Sequence, residues 1–156
     1  MGLGITLMQV LAEEALFRGW LLSALQDRLG PYLAIAGSAV AFSIFHLVGG
    51  ELSPISMANL LLGGLWFGLL AERTGGIVAP FAAHFGWNVA EDMGFGLVPN
   101  PGVGEFGALS DHDMVGGPLW GGTEDGLNDS IAMTLALTAL IIPLLPVFAP
   151  RRRGAA

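Results

Sequence analysis

The chain of 156 residues contains no cysteine and no lysine, and only 12% of its residues are charged. Without cysteine there is no disulfide framework, no thiolate nucleophile and no Cys-based metal site. Any chemistry therefore falls to carboxylate, imidazole, amide and hydroxyl groups. All six basic residues are arginines, against thirteen acids, and the net charge of -7 argues against a nucleic-acid partner. No basic n-region followed by a small-residue cleavage site opens the chain, as a signal peptide would require. Internal repeats are also lacking.

What fills the chain instead is apolar. Hydrophobic residues make up 53% and the mean hydropathy is +0.67, in runs that approach the ~20 residues needed to cross ~30 Å of hydrocarbon. Glycine, proline and charge punctuate these runs into spans at roughly 3–27 (A), 31–49 (B), 55–72 (C), 77–97 (D) and 130–148 (E). Pro31 opens B at a first-turn position, Gly49-Gly50 closes it, and Gly75-Gly76 separates C from D. Pro143 and Pro146 are expected to distort the end of E. The expected fold is all-α, a polytopic transmembrane helix bundle of about five spans. It forms one domain over residues 1–150, followed by a basic tail at 151–156.

Apart from Arg18 inside span A, the arginines sit at Arg28, at Arg73 and at Arg151-Arg152-Arg153. Strict alternation of spans puts all five on one face, which the positive-inside rule makes cytoplasmic. The expected location is the plasma (inner) membrane, with the C-terminus cytoplasmic and the B–C turn, the D–E loop and the N-terminus outside. Eight of the acids fall between Glu91 and Asp129, on the opposite side. Residues 94–126 form a Gly- and Pro-rich, acidic connection too long for a simple helix–helix turn. It is read as disordered, re-entrant or a lid, and His112 within it as a solvated loop histidine.

Charged residues inside the apolar spans stand out, because a charge at the bilayer centre costs several kcal/mol. Span A carries Glu13-Glu14-Ala15-Leu16-Phe17-Arg18. Residues four apart share a helical face, so Glu14 and Arg18 can pair while Glu13 takes a different azimuth and is free to face a cavity. Alternatively, all three form a buried ion network that only holds helices together. Span B ends in Phe42-Ser43-Ile44-Phe45-His46, and Phe42 and His46 share a face. A lone intramembrane histidine also serves as an interhelical hydrogen bonder. Span D carries His84 and Asn88 one turn apart, two donors aimed at one space, which is what an oxyanion needs. By depth, Glu13 and Asn88 fall near the midplane, and His46 nearer the outer end of B.

Three further features have structural readings. Trp20, Trp66 and Trp87 look like packing or interface residues, and Trp120 could dip into the outer interface. The Gly63-Gly64…Gly68 spacing reads as a face that lets another helix approach closely, with Asn59 as an interhelical hydrogen bonder. Ser43 has only His46 beside it as a base, a weak context for a nucleophile.

Glu13-Glu14-x-x-x-Arg18, Phe42-x-x-x-His46 and His84-x-x-x-Asn88, in that order on three spans, resemble the membrane-embedded CAAX-prenyl-protease-like proteins. These are also called CPBP or Abi proteins and include the Rce1-type endopeptidases. The approach to span D, Gly68-Leu69-Leu70-Ala71-Glu72-Arg73-Thr74-Gly75-Gly76, is similar to the family's as well. The likeness covers about residues 10–97 of this sequence. Family members commonly carry further helices ahead of the first glutamate motif, so the resemblance implies a truncated or minimal member. It has no counterpart for the acidic D–E loop.

The resemblance implies an enzyme that hydrolyses peptide bonds of membrane-associated proteins or peptides. Carried over, Glu13 is the base that activates water with the help of His46, and His84 and Asn88 hold the oxyanion. Glu14, Arg18 and Phe42 brace the site. Members are often labelled metalloproteases, and Glu13, His46 and His84 offer a two-histidine, one-carboxylate set that zinc accepts. A metal-free glutamate mechanism needs the same residues, and without an H-E-x-x-H helix the reading leans to no obligatory metal. Two other readings stay open: a proton-relay transporter subunit using Glu13, His46 and His84, and an inert immunity or scaffold protein on the same fold.

Overall fold

The computed structural model describes residues 1–49 and 53–148, and the basic tail and the Gly50 part of the predicted B terminus lie outside the described residues. Helices account for nearly all regular structure, and among the described residues there is no strand, only an isolated bridge between Trp120 and Ser130. Among the described residues five helical rods follow one another. The first joins α1 (Gly2–Glu14), a π-helical segment (Ala15–Leu21) and α2 (Leu22–Leu29). The second is α3 (Pro31–Phe45) with a 3-10 turn (His46–Gly49), and the third is α4 (Pro54–Thr74). The fourth is α5 (Val78–Asn88) running into a second π segment (Val89–Gly94), and the fifth is α6 (Ile131–Ile141) with a 3-10 end (Ile142–Phe148).

The breaks fall where backbone chemistry requires them. Gly30 takes φ +78 and hands over to Pro31 at the first turn of α3. Ser53 caps α4 by accepting from Ile55 and Ser56 N–H, with Pro54 following it. At the other end Gly75, at φ +74, closes α4 with its N–H on the Ala71 carbonyl. Helix α6 gives way to a 3-10 winding at Ile142, immediately before Pro143, because proline removes an α-helical donor.

Two of these rods, Pro31–Gly49 and Pro54–Thr74, are long and apolar enough to cross a membrane, and Ile131–Leu145 is a shorter apolar helix. Many large apolar side chains face outward, and several charged and polar ones face inward. Leu7, Met8, Leu11, Leu33, Val40, Ile44 and Leu135 are exposed, while Glu13, Glu14, Arg18, Ser38, Asn59, His84 and Glu91 are buried. Inward polarity with an apolar exterior fits helices solvated by hydrocarbon.

Helices α3 and α4 make the closest contact through the glycine face read from the sequence. A Cβ placed on Gly64 would lie 2.9 Å from Ala39 Cα, and one on Gly68 would lie 3.0 Å from Ile35 Cγ2. Next to this seam Leu22, Ala34, Ile35, Leu69, Ala71 and Leu144 form a buried apolar cluster. At that end Gln26 donates to Glu72, joining the arginine-bearing ends of α2 and α4.

The long acidic connection is folded. Asn100 is buried, and its amide nitrogen donates to the carbonyls of Met114, Gly121 and Thr123 at 3.0–3.2 Å while its oxygen accepts from Met114 N–H at 2.7 Å. One side chain thus ties together three parts of the loop. Asp125 accepts from Ser56 at 3.3 Å and Asp129 accepts from Ser53, so the loop is seated on the start of α4. Asn59 reaches the carbonyls of Asn128 and Ser130 and accepts from Thr134, the interhelical role read for it.

Candidate functional site

The site grows out of the first π segment. Winding from i+4 to i+5 bonding after Glu14 frees backbone acceptors and re-aims Phe17 and Arg18. The Phe17 carbonyl is taken both by Leu22 N–H and by the Ser38 hydroxyl of α3, at 2.8 Å. Arg18 then folds back onto Glu14, with Nη1 2.8 Å from Oε1 and both side chains fully buried. Its Nη2 donates to the Gly64 carbonyl at 3.3 Å. The guanidinium carbon lies 4.3 Å from the centre of the Phe42 ring and 5.1 Å from that of Phe67, so two aromatic faces enclose the cation.

Glu14 holds a second partner. His84 Nδ1 lies 2.8 Å from the same Oε1 that Arg18 contacts. An oxygen already accepting from a guanidinium is not the protonated one, so Nδ1 is the donor. The other ring nitrogen, Nε2, faces Glu13 Oε2 at 3.9 Å. His84 therefore bridges two glutamates of unequal surroundings, one locked in an ion pair and one lining a cavity. Phe67 stacks on the imidazole with centroids 4.7 Å apart and planes 20° apart, which fixes its plane.

Glu13 is held from its own helix. Gln9, one turn earlier, donates to its Oε1 at 3.1 Å and leaves Oε2 toward His84. His46 stands where α3 tightens into the 3-10 turn, and its Nδ1 lies 2.9 Å from the Phe42 carbonyl. A carbonyl only accepts, so Nδ1 carries a proton, and in the neutral ring Nε2 is the acceptor. The Phe42 ring packs on His46 with centroids 4.5 Å apart, placing Phe42 between the arginine and the histidine. The Asn88 side chain makes no hydrogen bond to the described residues.

Glu13, His46, His84 and Asn88 all line one cavity of about 380 Å³. It extends to Val98, Asp125 and Asn128 on the side of the loop. Among the described residues no three His, Asp or Glu side chains are grouped to hold a metal ion. His84 Nδ1 is engaged by Glu14. Ser43 donates to the Met57 carbonyl at 3.1 Å, a helix–helix contact. His112 is exposed, with Phe95 the nearest aromatic ring at 6.2 Å.

Several cavity residues were not singled out from the sequence. Gln9 and Phe67 support Glu13 and His84, and Glu91 is buried with Trp87 Nε1 donating to its Oε2 at 3.0 Å. The one-turn spacing that pairs Glu14 with Arg18 also relates Gln9 to Glu13 and Trp87 to Glu91, and was a usable signal. Trp87, read as a packing residue, is thus a hydrogen-bond donor at the cavity wall.

Fold and cavity define a class: a helical protein with an apolar exterior and a chamber walled by carboxylate, imidazole and amide. Within it, the model of the Rce1-like type II CAAX prenyl endopeptidases matches residues 1–90, and the chain belongs to that family of membrane-embedded proteases. The match contains every residue of the three motifs and ends before the acidic loop and α6. No curated protein and no solved structure matches the chain.

Proposed function

We propose that this chain is an intramembrane endopeptidase acting on membrane-associated peptides or proteins, from within a bundle of five membrane-crossing rods. The observation that carries the reading is the convergence of Glu13, His46, His84 and Asn88 on one cavity. A proton relay instead needs such groups strung along the membrane normal.

In this mechanism Glu13 takes a proton from water as the water oxygen bonds to the scissile carbonyl carbon. His46 Nε2, the unprotonated nitrogen, accepts the second hydrogen bond of that water and orients it. The imidazolium form of His84 donates from Nε2 to the oxyanion, and Glu14, ion-paired on the far side of the ring, stabilises that charge. Asn88 donates its amide to the same oxygen. Collapse of the tetrahedral intermediate breaks the C–N bond, and the proton held by Glu13 passes to the leaving amine.

The test is cleavage of a membrane-peptide library by the purified chain, with Glu13→Gln as the comparison. The substitution keeps the volume and the hydrogen bond to Gln9 but removes the base, so cleavage should be lost while thermal unfolding stays close to wild type. Full activity in Glu13→Gln would overturn the mechanism.

A further inference from the structure

Besides Glu13, His46, His84 and Asn88, the same cavity has a second group of polar lining residues. There the wall is made by Glu91, Asp92, Asp125 and Asn128, the last two supplied by the acidic loop that lies beyond the family match. Three carboxylates face one space, and among the described residues no arginine is ion-paired with any of them. Arg18 is sequestered by Glu14, and Arg28 and Arg73 are exposed near the ends of α2 and α4, where Gln26 meets Glu72.

Glu91 is the most enclosed of these acids. It is only 7% exposed, and while Oε2 accepts from Trp87 and Asn128 lies beside the carboxylate, Oε1 is buried without a hydrogen bond. A cavity wall of carboxylates without a basic partner is stabilised by an incoming cation that donates to it. A metal ion is a poor occupant, because no three acidic or histidine groups among the described residues are clustered at ligand spacing. The 380 Å³ chamber is large enough for a side chain, and its aromatic lining, Trp66, Phe67 and Trp87, suits the stem and charge of a long basic residue.

We infer that the Glu91–Asp92–Asp125 end of the cavity is a specificity subsite for a lysine or arginine of the substrate peptide. This rests on the endopeptidase reading and adds to it a requirement on substrate sequence. Glu91 lies three residues beyond Asn88 and seven beyond His84 on the same rod. That is about 5 Å and 10 Å at the rise of a helix. An extended peptide advances ~3.3 Å per residue, so the basic residue falls roughly two or three positions from the bond that is cut.

The experiment uses the full chain in bilayer nanodiscs and a set of apolar membrane peptides that carry one lysine, or its uncharged isostere norleucine, at successive positions. Cleavage is compared as the lysine-to-norleucine ratio of kcat/KM, and binding is measured separately with Glu13→Gln protein. The expected ratio is about tenfold at one or two adjacent positions, falling to about one in Glu91→Gln/Asp125→Asn, with binding to Glu13→Gln showing the same preference. Because the ratio compares two substrates on one protein sample, partial misfolding of a variant does not imitate the effect. Cleavage with a ratio of one at every position would overturn the subsite and leave the endopeptidase reading standing. Preferential binding of the lysine peptide without any cleavage would do the reverse. Saturable calcium binding lost in the double variant, with no lysine preference, would replace the subsite by a metal site.

Discussion

Arg18 and Glu14 are fully buried against each other, and His84 leans on the same carboxylate oxygen, so each residue's charge depends on the others. Removing Arg18 leaves Glu14 buried with an incomplete set of donors, and losing one partner of a buried pair typically costs about 3–5 kcal/mol. Arg18→Ala should therefore lower the unfolding temperature and the yield of folded protein. An Arg18→Ala protein as stable as wild type yet inactive would move Arg18 from support to catalysis. Asn88 makes the opposite prediction, because its side chain is unbonded and faces the cavity. If it donates only to charge that develops during reaction, Asn88→Ala should cut turnover by roughly 10²–10³ with substrate affinity and stability little changed. A loss of stability with turnover per folded molecule unaltered would make Asn88 a packing residue.

At the scale of elements, the seam between α3 and α4 sets the distance across which the site is assembled. Arg18 donates to the Gly64 carbonyl, and the Gly64 Cα faces Ala39 with no space for a methyl group. Gly64→Ala should push the two helices apart, at an overpacking cost of about 1–3 kcal/mol. At Gly63, one residue earlier, an added Cβ would meet nothing within 4 Å, so Gly63→Ala should leave thermal stability within about 1 kcal/mol of wild type. Equal unfolding temperatures for the two variants would show that the seam is more compliant than its contacts suggest. The start of α3 at Pro31 and the end of α4 at Gly75 were legible from sequence, because both act through local backbone chemistry. The two π segments were not; the first is a local rewinding whose Phe17 carbonyl is taken by Ser38 of another helix.

For the whole molecule, the rods alternate so that the ends of α2 and α4, with Arg28 and Arg73, meet through Gln26 and Glu72. The acidic loop sits at the other end, where Asp125 and Asp129 contact Ser56 and Ser53. Phe106 of the loop there crowds Gly2 at the start of α1. Single cysteines in this cysteine-free chain test whether that polarity is the membrane's. Leu109, 94% exposed in the loop, is a cleaner site than Ser110, whose hydroxyl donates to the Gly94 carbonyl. Leu109→Cys should react with an impermeant thiol reagent in intact cells, and Gly76→Cys, with open space around its Cβ, only after permeabilisation. The reversed pattern would invert the orientation drawn from the arginines, and reaction of both sites from one side would break the five-span alternation.

The sequence by itself determined the helical rods, because spans of apolar residues between Pro, Gly and charge depend on neighbours along the chain. It also determined the Glu14–Arg18 pair and the face shared by His84 and Asn88, since both follow from one turn of helix. It left open what the acidic connection does. Only the tertiary structure decided that Asn100 folds this connection into a cap, that its Asp125 joins Glu91 in one chamber, and that His84 leans on Glu14. Those contacts join residues 70 positions apart for His84 and Glu14, and 69 for Ser56 and Asp125. Such distances are bridged by the packing of whole helices through small residues and shared polar groups, and no local period of the sequence encodes them.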